Sequence, residues 1–168
     1  MSIKINYLKS QYKQSSNVVL FTDEKFNLSR LRRYLKNNEF LYVNDLLKSS
    51  DLKKNLLVFE LNSKKKIVLI SIKNKLKTAD IESLGAEFYG RINYGKNSEY
   101  FLDSDSIKTK LDNFLGHFLH GLKLKSYEFK KYKTKKETRI ISVNVIGNKN
   151  KPSAHVQLKF KALEEGTF

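Results

Sequence analysis

Short apolar runs and strict polar–apolar alternation recur along this chain, separated by polar segments. Ser2–Leu8 places Ile3, Ile5 and Tyr7 between polar neighbours, the pattern of a strand with one buried face. Asn17–Phe21 is a continuous apolar run, which favours a central strand covered on both sides. By these two criteria the predicted strands are Ser2–Leu8, Asn17–Phe21, Leu56–Leu61, Ile67–Ile72, Ser98–Leu102 and Arg139–Ile146.

Helical periodicity appears between the predicted strands. Leu28, Leu31 and Leu35 predict a first helix, and a shorter helical piece is expected from Asn44 to Lys48. The next helix is expected to begin at Thr78 or Asp80, because either residue can cap its first turn. Pro152 suits the first turn of a last helix. That helix is predicted to turn three apolar residues inward: Val156, Phe160 and Leu163.

The longest amphipathic pattern is centred on the segment that begins at Ile107. The apolar residues that follow Ile107 at offsets of 4, 7, 8, 11 and 15 lie on one face of a helix, and this pattern predicts a helix that covers a sheet. They are Leu111, Phe114, Leu115, Phe118 and Leu122. Asp103–Ser106 is expected to cap this helix, and Gly121 to end it. After Gly121, Tyr127 and Phe129 alternate with charged residues, a pattern that favours an edge strand with one buried face. The alternative is that Tyr127, Phe129 and Tyr132, interleaved with lysines, stack on the bases of single-stranded nucleic acid.

Strands that alternate with amphipathic helices predict an α/β fold, a three-layer αβα structure with helices on both faces of a mixed sheet. The two runs Leu56–Leu61 and Ile67–Ile72 are joined by a short lysine-containing segment, which predicts an antiparallel hairpin with a solvated turn. A length of 168 residues is enough for one well-packed core. We expect residues 1–151 to form one domain and residues 152–168 to begin a helix that links it to another.

Charge changes the picture of possible partners. The chain carries a formal charge of +16, with 28 lysines scattered through nearly every segment and 5 arginines. Scattered lysine favours a general compositional bias, whereas specific phosphate recognition favours arginine. Nucleic-acid binding stays open as an alternative function. Its candidate contacts are Arg30, Arg32, Arg33, Lys130, Lys131, Lys133, Lys135 and Lys136.

The candidates for catalysis or metal binding have simpler explanations. His117 and His120 have a spacing at which two imidazoles could share a metal, but no neighbouring ligands complete a site, so both are interpreted as surface residues, like His155. Asp103 and Asp105 are interpreted as capping residues. Glu164 and Glu165 are interpreted as helix-surface residues. We therefore predict neither catalytic nor metal-binding residues in this chain.

The absence of cysteine is compatible with a reducing cytoplasm, and the longest apolar runs have the length of strands, so we expect a cytoplasmic protein that is not in a membrane.

Phe118–Lys133 (FLHGLKLKSYEFKKYK) resembles the amino-terminal domain of the leucyl (cytosol) aminopeptidases. The resemblance implies a non-catalytic domain with a fold related to macro domains. It further implies that two divalent metal ions, zinc or manganese, and all catalytic residues belong to a carboxy-terminal domain, and that the parent is a homohexamer. The matching residues are Gly121, Leu122, Leu124, Tyr127, Phe129, Tyr132 and Lys133.

The expected function is therefore that of a non-catalytic domain that packs on the catalytic domain of a metallo-aminopeptidase and aids oligomer assembly. This chain alone should be inactive. The first alternative is a DNA-binding accessory module that uses the basic residues named above. The second is a macro-like binder of ADP-ribose. Macro domains hold that ligand with glycine-rich loops, whereas this chain has Ser71-Ile72-Lys73 and Gly147-Asn148 in the corresponding turns.

Overall fold

A computed structural model of the chain describes residues 2–9, 16–93, 98–131 and 140–167, and within these ranges the side chains except those at 2, 128–131 and 166–167. Its strands are β1 (Ser2–Tyr7), β2 (Asn17–Asp23), β3 (Leu56–Asn62), β4 (Lys65–Ile72), β5 (Ser98–Asp103) and β6 (Ile140–Ile146). Its helices are α1 (Asn37–Leu47), α2 (Thr78–Ile92), α3 (Phe114–Lys131) and α4 (Ala154–Thr167), with 3-10 helices at Leu28–Tyr34 and Ser104–Ser106.

The described strands form one six-stranded sheet in the order β1-β6-β5-β2-β4-β3. All neighbouring pairs are parallel except β3 and β4, which form the predicted antiparallel hairpin. The mixed sheet is thereby confirmed. Alternation along β2 divides the core, since Val18 and Leu20 face one side of the sheet while Val19 and Phe21 face the other.

Helices cover both faces of the sheet. On one face, α2 and α3 pack over β2, β4, β5 and β6 through a cluster that contains Phe88, Phe118 and Leu122. On the other face, the 3-10 helix Leu28–Tyr34 and α1 pack over β2, β3 and β4. The three-layer αβα prediction is confirmed.

The central helix differs from its prediction at its amino end. The helix α3 begins at Phe114, and the preceding residues from Ile107 are not helical, although Ile107 is buried. Asp103 caps the short 3-10 helix Ser104–Ser106, where its side chain accepts from the backbone NH of Asp105, and so it does not cap α3. The prediction failed because Asn113 adopts a φ of 56°, which separates the apolar residues before it from the helix that continues their periodicity.

The central helix also does not end at Gly121. Position 121 lies inside α3, where a β-carbon would lie 2.0 Å from the backbone oxygen of Glu82 in α2. The glycine is needed for close helix packing, so it is not a stop signal. Tyr127 and Phe129 accordingly continue the helix instead of forming an edge strand. Tyr132 and Lys133 lie outside the described residues.

The first helical region was only partly predicted. The segment with Leu28 and Leu31 is a 3-10 helix, and α1 begins seven positions before the predicted Asn44, at Asn37. The turn of the hairpin, Ser63 and Lys64, is exposed as expected, but Lys65, the first residue of β4, is buried. Lys65 Nζ lies 2.7 Å from Glu39 Oε2 of α1, which pairs two charged groups that are both largely shielded from water.

The last helix, α4, packs on α3 through Phe160, as its pattern predicts. Leu163, by contrast, is 49% exposed, and Glu164 is buried instead of lying on the surface. The proposed boundary at residue 152 stays a prediction.

A candidate ligand cleft at the carboxyl ends of the strands

The parallel strands bring their carboxyl ends to one edge of the sheet. After β2 the chain continues to β3 and β4, which lie on one side of β2 in the sheet. After β5 it continues to β6, which lies on the other side. The two connections therefore diverge between the neighbouring strands β2 and β5. Ligands of open α/β sheets bind outside the carboxyl ends at such a point of divergence. A cleft of about 460 Å³ opens at the end of β2. Its lining includes Asp23, Lys25, Arg30, Tyr34, Ser106 and Lys108.

Asp23 organises one wall of the cleft. Its Oδ1 accepts hydrogen bonds from the backbone NH groups of Lys25 at 3.1 Å and Asn27 at 3.0 Å. These bonds fold the loop tightly, with Phe26 at a φ of 55° and its ring in the core. Asn27 then caps the following 3-10 helix through Ser29, which fixes the position of Arg30 at the cleft.

Ser106 joins the ends of β2 and β5. Its hydroxyl donates to the backbone oxygen of Asp103 at 2.6 Å and accepts from the backbone NH of Phe21 at 3.0 Å. The hydroxyl group is buried, and its proton is used within the protein. This arrangement assigns Ser106 a positioning role in the floor of the cleft.

The loop after β6 is tied to the loop after β5. Asp105 Oδ1 accepts from the backbone NH groups of Asn148 at 2.9 Å and Lys149 at 2.7 Å, and Asn150 Nδ2 donates to the backbone oxygens of Ser104 and Ile107. Gly147 has a φ of +102°, and a β-carbon there would lie 2.6 Å from Ser104 Oγ. The side chain of Asp105 therefore holds this loop in place, and the expectation that it caps the central helix is wrong, because α3 begins only at Phe114.

Charges of both signs surround the cleft. Burial raises the pKa of the Asp103 carboxyl, and the positive charges of Arg33 and Lys151 oppose that rise. Burial likewise raises the pKa of Tyr34, whose hydroxyl hydrogen-bonds to Arg33. The cleft is lined by three cations, Lys25, Arg30 and Lys108, and by two carboxylates, Asp23 and Glu24. One oxygen of Asp23 is already bonded to backbone NH groups. With the ring of Tyr34 beside these charges, the arrangement suits a polar small molecule that carries an anionic group more than it suits covalent chemistry.

The two histidines of α3 have a structural role that the sequence did not predict. His120 is buried, with Nδ1 3.4 Å from Glu164 Oε1, and Lys123 Nζ donates to Glu164 Oε2 at 3.0 Å. His117 and His120 both contact the Phe160 ring, with ring-centroid distances of 5.0 and 5.2 Å. The surface interpretation is wrong for His120, because α4 covers it. His155 is exposed, as expected.

No group of three or more His, Asp or Glu side chains that could hold a metal ion occurs among the described residues. The resemblance places the two divalent ions of the parent enzyme in a separate catalytic domain, and their presence there stays a prediction.

The basic residues proposed as nucleic-acid contacts are only partly described. Arg30, Arg32 and Arg33 are exposed on the 3-10 helix after β2. The Arg32 guanidinium lies 5.0 Å from the centroid of the Phe40 ring, and that of Arg33 lies 4.7 Å from the Tyr34 ring. Lys130 and Lys131 end α3, but their side chains are outside the described set, as are residues Lys133, Lys135 and Lys136 altogether. The nucleic-acid role of these residues stays a prediction.

Sequence reasoning missed Asp23 and Ser106 as residues that shape a cleft. A signal was present, because Asp23 ends β2, two residues after its apolar run, and Ser106 lies three residues after the end of β5. Polar side chains after two parallel strands meet at the same sheet edge. Recognising this required the strand order, which places β2 beside β5 and cannot be read from local pattern.

None of the described helices is long and apolar enough to cross a membrane.

Comparison with known proteins gives structural likeness at low sequence identity. No protein-family model matches the chain, and no curated protein matches it. A mutant of tomato leucine aminopeptidase is similar over 97% of this chain, with a TM-score of 0.62 and 14% identity. The chain spans 36% of that enzyme.

A second solved structure, the macrodomain of DarG from Thermus aquaticus, is similar over 85% of this chain and 99% of its own length, with a TM-score of 0.52 and 11% identity. At these identities the likeness concerns the fold. The chain therefore has a macro-domain-like αβα fold that is similar to part of a leucine aminopeptidase.

Proposed function

We propose that this chain is the non-catalytic amino-terminal domain of a leucyl aminopeptidase, which packs on the catalytic domain of the same polypeptide and aids its assembly into an oligomer. The observation that carries the proposal is the likeness of 97% of this chain to about a third of the tomato enzyme. A domain of that size leaves room in the parent for a separate catalytic domain.

The sequence resemblance supports the same proposal through residues that organise the fold. Gly121 and Leu122, two of the residues that match the aminopeptidase pattern, lie where α3 packs against α2. Leu122 is fully buried, and Gly121 touches the backbone of Glu82. These two matched residues thus support a shared architecture through packing.

The helix α4 would connect this domain to the next one. Phe160 anchors it on α3 beside Gly116, where a β-carbon would come within 2.6 Å of the Phe160 ring. Glu164 adds hydrogen bonds to two residues of α3, His120 and Lys123. A helix held by both apolar and charged contacts fixes the direction in which the chain leaves the domain, which suits a rigid connection between two packed domains.

The test is to clone the gene beyond the codon for Phe168 and compare the extended product with the 168-residue chain. Both proteins are assayed with leucine p-nitroanilide, with added manganese or zinc and with EDTA. We expect metal-dependent hydrolysis by the extended product and none by the folded 168-residue chain. A reading frame that stops at Phe168, or metal-dependent hydrolysis by the short chain at the rate of the long one, would overturn the proposal.

The cleft after β2 supports a second candidate, the binding of an anionic nucleotide-like ligand such as ADP-ribose. It lies at the point where the chain connections diverge, and it combines Arg30 and Lys108 with the Tyr34 ring. The similarity to a macrodomain over nearly all of that domain's length adds support. Nothing in this candidate requires the chain to be part of a peptidase.

A thermal-shift titration with ADP-ribose tests this second candidate. Binding at a ligand concentration of about 100 Kd should stabilise the protein by roughly 2.7 kcal/mol, which raises the melting temperature measurably. Arg30→Ala should remove most of the shift, whereas Arg91→Ala on α2 provides an exposed arginine control. The same shift in both variants, or no shift in the wild type at millimolar ligand, would exclude the cleft as an ADP-ribose site.

A further inference from the structure

A groove separates α4 from the first strand of the sheet. The helix α4 packs on α3 through Phe160, and a space remains between α4 and β1. The resulting space has a volume of about 610 Å³ and is lined mainly by apolar groups. Leu158 is 65% exposed on the α4 side, and Tyr7 is 37% exposed on the β1 side. The apolar lining comprises Ile5, Tyr7, Leu119, Pro152, Leu158 and Phe160.

The strand beside this groove is an edge of the sheet. Among the described strands, β1 pairs with β6 alone. Just beyond the strand, the backbone NH of Leu8 donates to Val145 of β6 at 2.9 Å. The backbone NH and C=O groups of successive residues point to opposite edges of a strand, so those of Lys4 and Asn6 also point toward β6. Those of Ile3, Ile5 and Tyr7 therefore point away from the sheet.

Ile5 and Tyr7 belong both to the groove and to the exposed edge of β1. Ile5 and Tyr7 direct their side chains into the groove, and their backbone groups point out from the edge. A strand added beside β1 would bond to those backbone groups, and every second side chain of that strand would enter the groove against Leu158. An edge strand next to a helix-lined groove is the arrangement in which extended peptides bind by strand addition.

Charge selects the kind of peptide. Residues 2–9 contain Lys4 and Lys9, both exposed, and no acidic residue. The side chain of Lys4 lies on the sheet face opposite the groove, so it would neighbour the side chains of an added strand that do not enter the groove. The charged side chains that line the groove itself are Lys123, Lys161, Glu164 and Glu165, two of each sign, so they give no net preference. The carboxylate of Glu164 is already bonded to Lys123 and His120.

We propose that the β1 edge and the groove beside α4 bind an extended segment of a partner protein in which apolar residues alternate with acidic ones. The apolar residues would fill the groove, and the acidic residues would lie beside Lys4. A second copy of this chain fits less well. Two β1 strands would each contribute exposed lysines and no acidic residue to the new pair, in a protein that carries a charge of +16.

The first measurement is the binding of a fluorescein-labelled peptide, Glu-Val-Glu-Ile-Glu-Val, to the whole 168-residue chain, followed by fluorescence anisotropy. Its two controls are Lys-Val-Lys-Ile-Lys-Val, which reverses the charge, and the acidic peptide with alternate backbone nitrogens methylated, which removes donors for strand pairing. We expect the acidic peptide to bind, and each control peptide to bind at least about tenfold more weakly.

A matched pair of variants locates the site. Tyr7→Ser with Leu158→Ser removes the two exposed apolar side chains of the groove. Leu41→Ser with Tyr42→Ser removes two comparably exposed side chains, 54% and 47%, from α1 on the other face of the sheet. The groove variant should bind the acidic peptide about tenfold more weakly or worse, which is the effect of removing one buried leucine-sized side chain. The α1 variant should bind like the wild type, and circular dichroism checks that both are folded.

Amide NMR supplies a residue-specific criterion. Peptide binding should shift and protect the amides of Ile3, Ile5 and Tyr7, which point away from β6, more than those of Lys4 and Asn6. Equal effects on all five amides, tight binding of the basic peptide, or peptide binding that survives in the groove variant would overturn the proposal. So would a concentration-dependent dimer that forms through β1 and leaves the peptide unbound.

Discussion

Gly121 of α3 and Glu82 of α2 meet backbone to backbone: a β-carbon at position 121 would lie 2.0 Å from the Glu82 carbonyl oxygen. The contact is repeated in the opposite sense, because a β-carbon at Gly85 of α2 would lie 2.0 Å from the carbonyl oxygen of Phe118 in α3. Both glycines are buried in the described core. The two helices can therefore approach each other closely only where each supplies a glycine.

Because of this contact, we expect a β-carbon at position 121 to lower the free energy of unfolding. Gly121→Ala should destabilise the protein by about 1–3 kcal/mol, because overpacking at a rigid backbone contact outweighs the gain in helix propensity. Gly90→Ala in α2 is the matched control, since nothing lies within 4 Å of a β-carbon there. It should be neutral or stabilise by up to about 1 kcal/mol.

Urea unfolding monitored by circular dichroism measures both variants. The result to look for is a lower midpoint for Gly121→Ala and an unchanged or higher midpoint for Gly90→Ala. If the two alanine variants move the midpoint in the same direction and by the same amount, the helices do not touch at position 121 in solution.

Gly121 also shows what local pattern can and cannot predict. The β-rich runs and helical spacings located the six strands and the helices α2 and α4, because burial of one face imposes a period on the sequence. A glycine, however, is expected both at a helix end and at a close helix contact. Only the packing partner distinguishes the two, and Glu82 is distant from Gly121 in the chain.

The candidate sites were less predictable than the fold for the same reason. Glu164 has the sequence context of a surface glutamate, yet its partners His120 and Lys123 lie 44 and 41 positions earlier. The cleft likewise depends on β2 and β5 being neighbours. Polar residues such as Asp23 and Ser106 could be placed after strands from the sequence, but their proximity depends on strand order.

Glu164 of α4 is buried and Glu165 is exposed, so substitutions of these adjacent residues should differ in their effect on stability. Glu164→Gln keeps the shape of the side chain but weakens the bonds to Lys123 and His120, and should cost about 1–2 kcal/mol of stability. Glu165→Gln, at an exposed neighbouring position, should change stability by less than about 0.5 kcal/mol. Thermal or urea unfolding of the two variants measures the difference, and equal effects would mean that α4 does not dock through Glu164.

The same substitution should change the titration of Tyr7. Burial and, to a smaller extent, the negative charge of Glu164 raise the pKa of Tyr7 to about 12. In Glu164→Gln the tyrosine pKa should fall but stay above its ordinary value of 10.0, because burial persists. The ring-carbon chemical shift of Tyr7 as a function of pH reports this directly. An unchanged pKa would place Glu164 too far from Tyr7 to contribute.

His117 predicts a pH dependence of stability near neutrality. Burial lowers its pKa below the ordinary value of 6.5, although the charge of Glu82 opposes the shift. The folded protein therefore binds fewer protons here than the unfolded chain, so this contribution to stability is complete above about pH 6.5 and is lost as the pH falls through the lowered pKa. Lys159 of α4 and His120 also disfavour the protonated form.

His117→Gln should flatten the dependence of the unfolding midpoint on pH as the pH falls below the ordinary histidine value of 6.5. His155→Gln removes an exposed histidine and should leave the wild-type dependence in place. Chemical denaturation at a series of pH values distinguishes the two. A wild-type slope retained in His117→Gln would show that other groups cause the acid sensitivity.

If the candidate arginines and lysines bind DNA phosphates, the affinity of this chain for DNA should depend on salt. Binding of a duplex should weaken linearly in a plot of log K against log salt, since lysine and arginine displace counterions from phosphates. Replacing Arg30, Arg32 and Arg33 by alanine should reduce the slope by about one for each arginine that binds a phosphate. Lys130→Ala, Lys131→Ala and Lys133→Ala test the other candidate group in the same way.

Arg91→Ala is the appropriate control, because this exposed arginine lies on α2, on the sheet face opposite the 3-10 helix that carries the arginine group. Arg91→Ala should leave the slope of log K against log salt unchanged if the phosphate-binding residues are confined to the candidate groups. A uniform small reduction for every basic residue replaced, including Arg91, would instead indicate that the whole charge of +16 attracts DNA without a defined surface. No dependence on salt would rule out phosphate binding altogether.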